Sequence, residues 1–161
     1  MLAPFALLWS LVAISGLPAS WVWPTRVAAV AITAAVLFAP GRTGTRERVR
    51  HQPDGWLTRV GLVNLAEVGA IAVAVVIFAA TGVPEFVPPI ACLIVGLHFL
   101  PLKRLFDQPE YRGTAIGLIC GAALGLAVLT LGSAPELSRI VVGAVAASTL
   151  WITSARLSVR G

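Results

Sequence analysis

Apolar residues fall along the chain in six long blocks, at about residues 2–17, 21–39, 60–81, 88–105, 113–131 and 135–157. Between them lie short segments rich in Pro, Gly and charge. Uncharged blocks of this kind read as helices crossing a bilayer, for which about 20 residues suffice. The punctuation agrees with that reading. Pro40-Gly41 closes the second block, and Pro88-Pro89 suits the first turn of a helix, where a missing N–H matters little. Ser133-Ala134-Pro135-Glu136 reads as a capping box, with Ser133 at the N-cap and Glu136 at N3. Trp21, Trp23 and Trp56 stand at block edges, where amphipathic rings favour the membrane interface. The expected fold is all-α: one transmembrane domain over residues 1–161, built as a six-helix bundle.

Composition strengthens the membrane reading. Only 12% of the 161 residues are charged and 58% are hydrophobic, against about 25% charged in soluble domains. The mean hydropathy is +0.90. The longest polar stretch, residues 42–59, is too short to bury a core of its own. The net charge of +5 does not call for a nucleic-acid partner, because the basic residues have a topological explanation. Arg42, Arg46, Arg48, Arg50 and Arg59 follow block two, Lys103, Arg104 and Arg112 follow block four, and Arg156 and Arg160 end the chain. Six crossings put all of these on one face and leave Arg26 and Arg139 on the other. The positive-inside rule then makes that face, and both termini, cytoplasmic.

The rival for block one is a cleaved signal peptide ending near Pro18-Ala19-Ser20. No Lys or Arg precedes Arg26, so the basic n-region is missing and a retained helix is expected. Cys92 and Cys120 lie inside apolar blocks without the Cys/His neighbours of a metal site. No disulfide, metal or cofactor is expected. Arg42, Arg46, Arg48 and Arg50, with Trp56, are candidates for holding anionic lipid headgroups, at about 1 kcal/mol per basic residue. Plain topology signalling is the simpler explanation of the same residues.

Three polar residues inside the blocks carry the candidate chemistry. Glu67 is the carboxylate well inside an apolar block, His98 is the imidazole in another, and Asn64 precedes Glu67 by one helical turn. Ionisable groups in a bilayer are costly, face the bundle interior and find partners. Depth joins the two. Glu67 lies roughly 12 Å along its helix from Arg59, and His98 roughly 7–8 Å before Lys103, at 1.5 Å per residue. The short link Gly82–Val87 makes the two helices antiparallel neighbours, so both groups fall in the cytoplasmic half. Pro101 cannot donate to the Leu97 carbonyl, which frees an acceptor beside His98. Together these groups are expected to line a small polar cavity, with Tyr111 and Arg112 at its rim. The alternative is interhelical glue, in which the same groups only satisfy each other.

Gly113, Gly117, Gly121 and Gly125 recur every fourth residue and share one helix face. Such a face admits a close neighbour, either inside the bundle or as a homo-oligomer seam. Gly143 and Ala147 provide a similar face on the last helix, so the fifth and sixth helices are expected to pack together. A three-plus-three inverted repeat, common in carriers, is not evident in the Pro, Gly and polar positions.

The run Gly96-Leu97-His98-Phe99-Leu100-Pro101-Leu102, preceded by Asn64-Leu65-Ala66-Glu67, resembles small uncharacterised bacterial integral membrane proteins. These carry an N-x-x-E helix followed by a G-L-H-F-x-P-L helix. The resemblance covers about residues 56–115 and implies the cytoplasmic membrane of a bacterium, with Asn64, Glu67, His98 and Pro101 singled out. It implies no activity. Three function classes follow. A carrier or channel for a small solute or proton ranks first, with Glu67 and His98 as the binding or relay pair. A membrane-embedded enzyme acting on a lipid or isoprenoid, with Glu67 as general acid, and a non-catalytic subunit come after it.

Overall fold

A computed structural model describes residues 2–38 and 55–160. Its regular elements are α1 (Ala3–Ile14), α2 (Ala19–Phe38), α3 (Trp56–Ala80), α4 (Val87–Phe106), α5 (Glu110–Thr130) and α6 (Pro135–Arg160). One 3-10 turn, Pro84–Phe86, leads into α4. Helices α2 to α6 are each long and apolar enough to cross a membrane. The chain is an all-α, multi-pass membrane protein.

The first block departs from the six-span expectation. Its helix has 12 residues, so it reaches about 18 Å, well short of a hydrocarbon core of about 30 Å. Local chemistry sets that length. Pro18 disfavours helical geometry at Leu17, and the last turn closes through the Ser15, Gly16 and Leu17 amides. Among the described residues five helices therefore have spanning length, and α1 is a short apolar helix packed between α2 and α6.

In space the helices run in the order α2, α1, α6, α5, α4, α3. The core lies where α5 and α6 meet, around Leu118, Ala122, Val142, Ala146 and Leu150, with Ala6 of α1 and Cys92 of α4 closing its sides. The two end helices bury little: Ala29 and Thr33 in α2, Ala74 in α3. Their remaining apolar surface, Val27, Val30, Leu65 and Val76 among it, is exposed, as a lipid-facing surface should be.

Small residues decide how closely the central helices approach. A Cβ added at Gly117 would lie 2.7 Å from Thr149, and one at Gly121 would lie 2.9 Å from Val145; one at Gly125 would meet Val142. Three of the four periodic glycines thus receive α6 of the same chain, and that face is not open to a second copy. Gly113 alone of the four stands in open space. Gly143 serves another partner than expected. It admits the backbone of α1 at Ala13 and at Trp9, whose carbonyl would be 2.6 Å from an added Cβ. With Gly16 against the Glu136 carbonyl, this fixes α1 antiparallel to α6.

Hydrogen bonds lock the same seams. Ser138 donates to the Gly125 carbonyl at 3.0 Å, Cys92 to the Leu118 carbonyl at 3.2 Å, and Trp151 Nε1 to Thr33 Oγ1 at 3.0 Å. Thr114 and Thr153 share a buried 2.8 Å bond between α5 and α6. Each hydroxyl also reaches a carbonyl one turn back on its own helix, Thr114 that of Glu110 at 3.2 Å and Thr153 that of Thr149 at 2.8 Å, so either can be the donor across the seam. Thr114→Val keeps the volume and removes that bond. It is expected to lower stability by about 0.6 kcal/mol, read from the unfolding midpoint in detergent.

The capping-box expectation is not met in its details. Helix α6 starts at Pro135, and the Glu136 carboxylate reaches forward to Arg139 at 2.8 Å instead of back to Ser133. An Arg one turn ahead offers a charged partner near the helix N-terminus, which a neutral backbone amide does not match.

Candidate functional site

Helices α3 and α4 are antiparallel neighbours joined through the tight segment 81–86. Midway along the pair, Val63, Ala66 and Glu67 of α3, at spacings of three and four from Val63, share one face. On α4, Ile94, His98 and Pro101 do the same. These six residues line a recess of about 240 Å³. Inside it Glu67 Oε2 stands 3.4 Å from His98 Nε2, and the side chains are only 20% and 9% exposed.

At 1.5 Å per residue Glu67 stands roughly 12 Å from Arg59 and His98 roughly 7–8 Å from Lys103, an offset that side-chain tilt can close. Side chains lean toward the N-terminus of their own helix. Glu67 therefore leans toward the Trp56 end of α3, and His98 leans toward the Val87 end of α4. On antiparallel helices these two tilts converge.

The contact is loose. A charge-assisted hydrogen bond usually spans about 2.7–2.9 Å, so at 3.4 Å the two groups touch without being clamped. His98 Nδ1 is buried and has no hydrogen-bond partner among the described residues. The imidazole also meets the Val63 backbone on α3, so Glu67 is not its only polar neighbour. The ring also stands edge-on to Phe99 at 6.0 Å.

The other expected members separate. Pro101 lines the recess, within α4 as expected. Asn64 is exposed and outside the lining, because α3 turns its Val63–Glu67 edge to α4 and Asn64 away from it. Leu97, whose carbonyl Pro101 frees, is exposed and also outside the lining. Tyr111 is not at a rim. Its ring packs edge-on against Phe99 at 5.3 Å and Phe106 at 6.0 Å, plugging the junction of α4 and α5. Trp56 likewise turns inward: Nε1 donates to the Leu105 carbonyl at 2.9 Å, and the ring meets Phe106 edge-on at 5.1 Å. Its N–H thus satisfies one of the unpaired carbonyls at the end of α4. Arg42, Arg46, Arg48 and Arg50 lie outside the described residues.

A larger feature adjoins the recess. Arg59, Leu62 and Val63 of α3, Leu100, Pro101, Lys103, Arg104 and Leu105 of α4, and Arg112 of α5 line a groove of about 750 Å³. It shares Val63 and Pro101 with the recess. Arg112 lines this groove, in the company of three more cations, and not the recess itself.

No family model, no curated protein and no solved structure matches the chain.

The convergence of Arg59, Lys103, Arg104 and Arg112 was missed in the sequence, where Arg59, Lys103 and Arg104 served only to orient the helices and Arg112 was singled out without them. The signal was present. All four lie at ends of consecutive helices that share one face of the bundle.

Proposed function

We propose that this is a small membrane carrier that moves a proton, alone or with a small solute, through the Glu67–His98 recess. The observation that carries the reading is the 3.4 Å contact between two ionisable side chains on different membrane helices, in a recess that adjoins a groove at the basic end. Intramembrane ionisable groups mark ion and proton pathways by default. Interhelical glue is the competing reading, and it predicts no proton flux.

By the positive-inside rule the end carrying Arg59, Lys103, Arg104, Arg112 and Arg156 faces the cytoplasm of a bacterium, with the C-terminus. The N-terminus starts in the same half, since α1 runs antiparallel to α6. The recess is then entered from the cytoplasm. A second reading, an enzyme acting on a lipid or isoprenoid with Glu67 as general acid, draws on the exposure of Leu62, Leu65 and Val68 along α3. That surface would let a lipid approach from the side.

Proteoliposomes with an internal pH dye separate the two. Under an imposed pH gradient, wild type is expected to equilibrate faster than protein-free liposomes. Glu67→Gln is expected to slow this about a hundred-fold, the scale of losing a positioned proton-transfer group. Wild-type rates no higher than those of empty liposomes would remove the carrier reading.

A further inference from the structure

The groove beside the recess has a composition that selects its ligand. Its mouth gathers Arg59, Lys103, Arg104 and Arg112 from three consecutive helices. Its floor is apolar: Leu62, Val63, Leu100, Pro101 and Leu105. Among the described residues, the ion pairs within 4 Å are His98–Glu67 and Arg139–Glu136, and none of the four cations belongs to either. Three of them, Arg59, Arg104 and Arg112, are exposed at the surface. Like charges converge here, around a connection that also carries Asp107 and Glu110, and an anion in the groove would lower the repulsion among the four cations.

We infer that the groove binds a phosphate-headed membrane lipid, with the phosphate among Arg59, Lys103, Arg104 and Arg112 and an acyl chain along Leu62 and Leu100. Guanidinium groups match phosphate oxygens through paired, directed N–H donors. The apolar floor decides between sources of phosphate. A free phosphate ion has no use for it, whereas an acyl chain continues from it onto the exposed apolar surface of α3 at Leu62, Leu65 and Val68. Four cations at the level of the membrane face also suit the anionic surface of a cytoplasmic leaflet, which attracts such clusters. This site differs from the Arg42–Arg50 segment, and it stands whether or not Glu67 and His98 exchange a proton.

The test is native mass spectrometry of the delipidated full chain, titrated with dioleoyl phosphatidate or dioleoyl phosphatidylcholine. Wild type is expected to retain phosphatidate in preference to phosphatidylcholine. Arg104→Gln and Arg112→Gln should each weaken retention about five-fold, from about 1 kcal/mol per cation. Arg59→Gln combined with both should weaken it about a hundred-fold. Arg156→Gln, an exposed cation at the same end but outside the groove lining, should change nothing. The three groove arginines are exposed, so their removal leaves the packed core intact, which circular dichroism checks. Equal retention of both lipids, or equal loss in Arg156→Gln, would overturn the assignment. Displacement of phosphatidate by excess inorganic phosphate would overturn the choice of a lipid over a free ion.

Discussion

Gly143→Ala is expected to destabilise the protein by about 1–3 kcal/mol, more than alanine at any of the periodic glycines of α5. The reason is what the new methyl group meets. At Gly143 the obstacles are main-chain atoms of α1, at Trp9 and Ala13, and backbone cannot rotate aside. Helix α1 would have to move off α6 or lose its register. At Gly117 the obstacle is the Thr149 side chain, which can turn at the expense of a rotamer, so a smaller loss is expected there. Gly113 has nothing within 4 Å, and Gly113→Ala should be neutral or stabilising by up to about 1 kcal/mol from helix propensity alone. Unfolding midpoints of the three variants in one detergent give the ranking. An equal loss at Gly113 and Gly143 would mean that α1 does not lie in the groove of α6.

The second large effect concerns the carboxyl group of Glu67. Infrared difference spectra across pH in purified protein should contain one carboxyl band that disappears in Glu67→Gln and shifts in His98→Ala. The 3.4 Å contact makes each group part of the other's electrostatic environment, and in the low dielectric between membrane helices that coupling is strong. Interacting sites titrate as a pair, so removing His98 must change where the band appears and how it responds to pH. A band that ignores His98, in a variant that still folds, would mean that the two groups act independently. A band that never titrates would assign Glu67 a structural role and bring the subunit reading forward.

The candidate site was legible in part. Glu67 and His98 could be singled out because an ionisable residue in an apolar block is conspicuous, and their shared depth followed from a constant rise per residue on helices joined by a short link. Whether they faced each other depended on helix rotation and side-chain tilt, and neither leaves a trace in spacing alone. Asn64 shows that limit. It lies one turn from Glu67, yet the recess is lined on α3 by Val63, Ala66 and Glu67, and Asn64 stays exposed outside it. Trp56 was placed at a membrane edge because amphipathic rings favour interfaces, and Tyr111 at the cavity rim from its place at the start of the fifth helix, but aromatic neighbours and a free carbonyl at the end of α4 drew them inward.

By itself the sequence determined the all-α class, the apolar helices, their approximate limits and the antiparallel pairing of α3 with α4, because those follow from hydropathy and from the reach of short connections. Tertiary structure decided the rest. It shortened α1, since turn residues at its end occupy part of an apolar block. It assigned Gly117, Gly121 and Gly125 to α6 and Gly143 to α1, since a small-residue face declares that something packs there without saying what. It also gathered Arg59, Lys103, Arg104 and Arg112 into one groove. Charges spread over 54 positions of chain become neighbours only when three helices are set side by side.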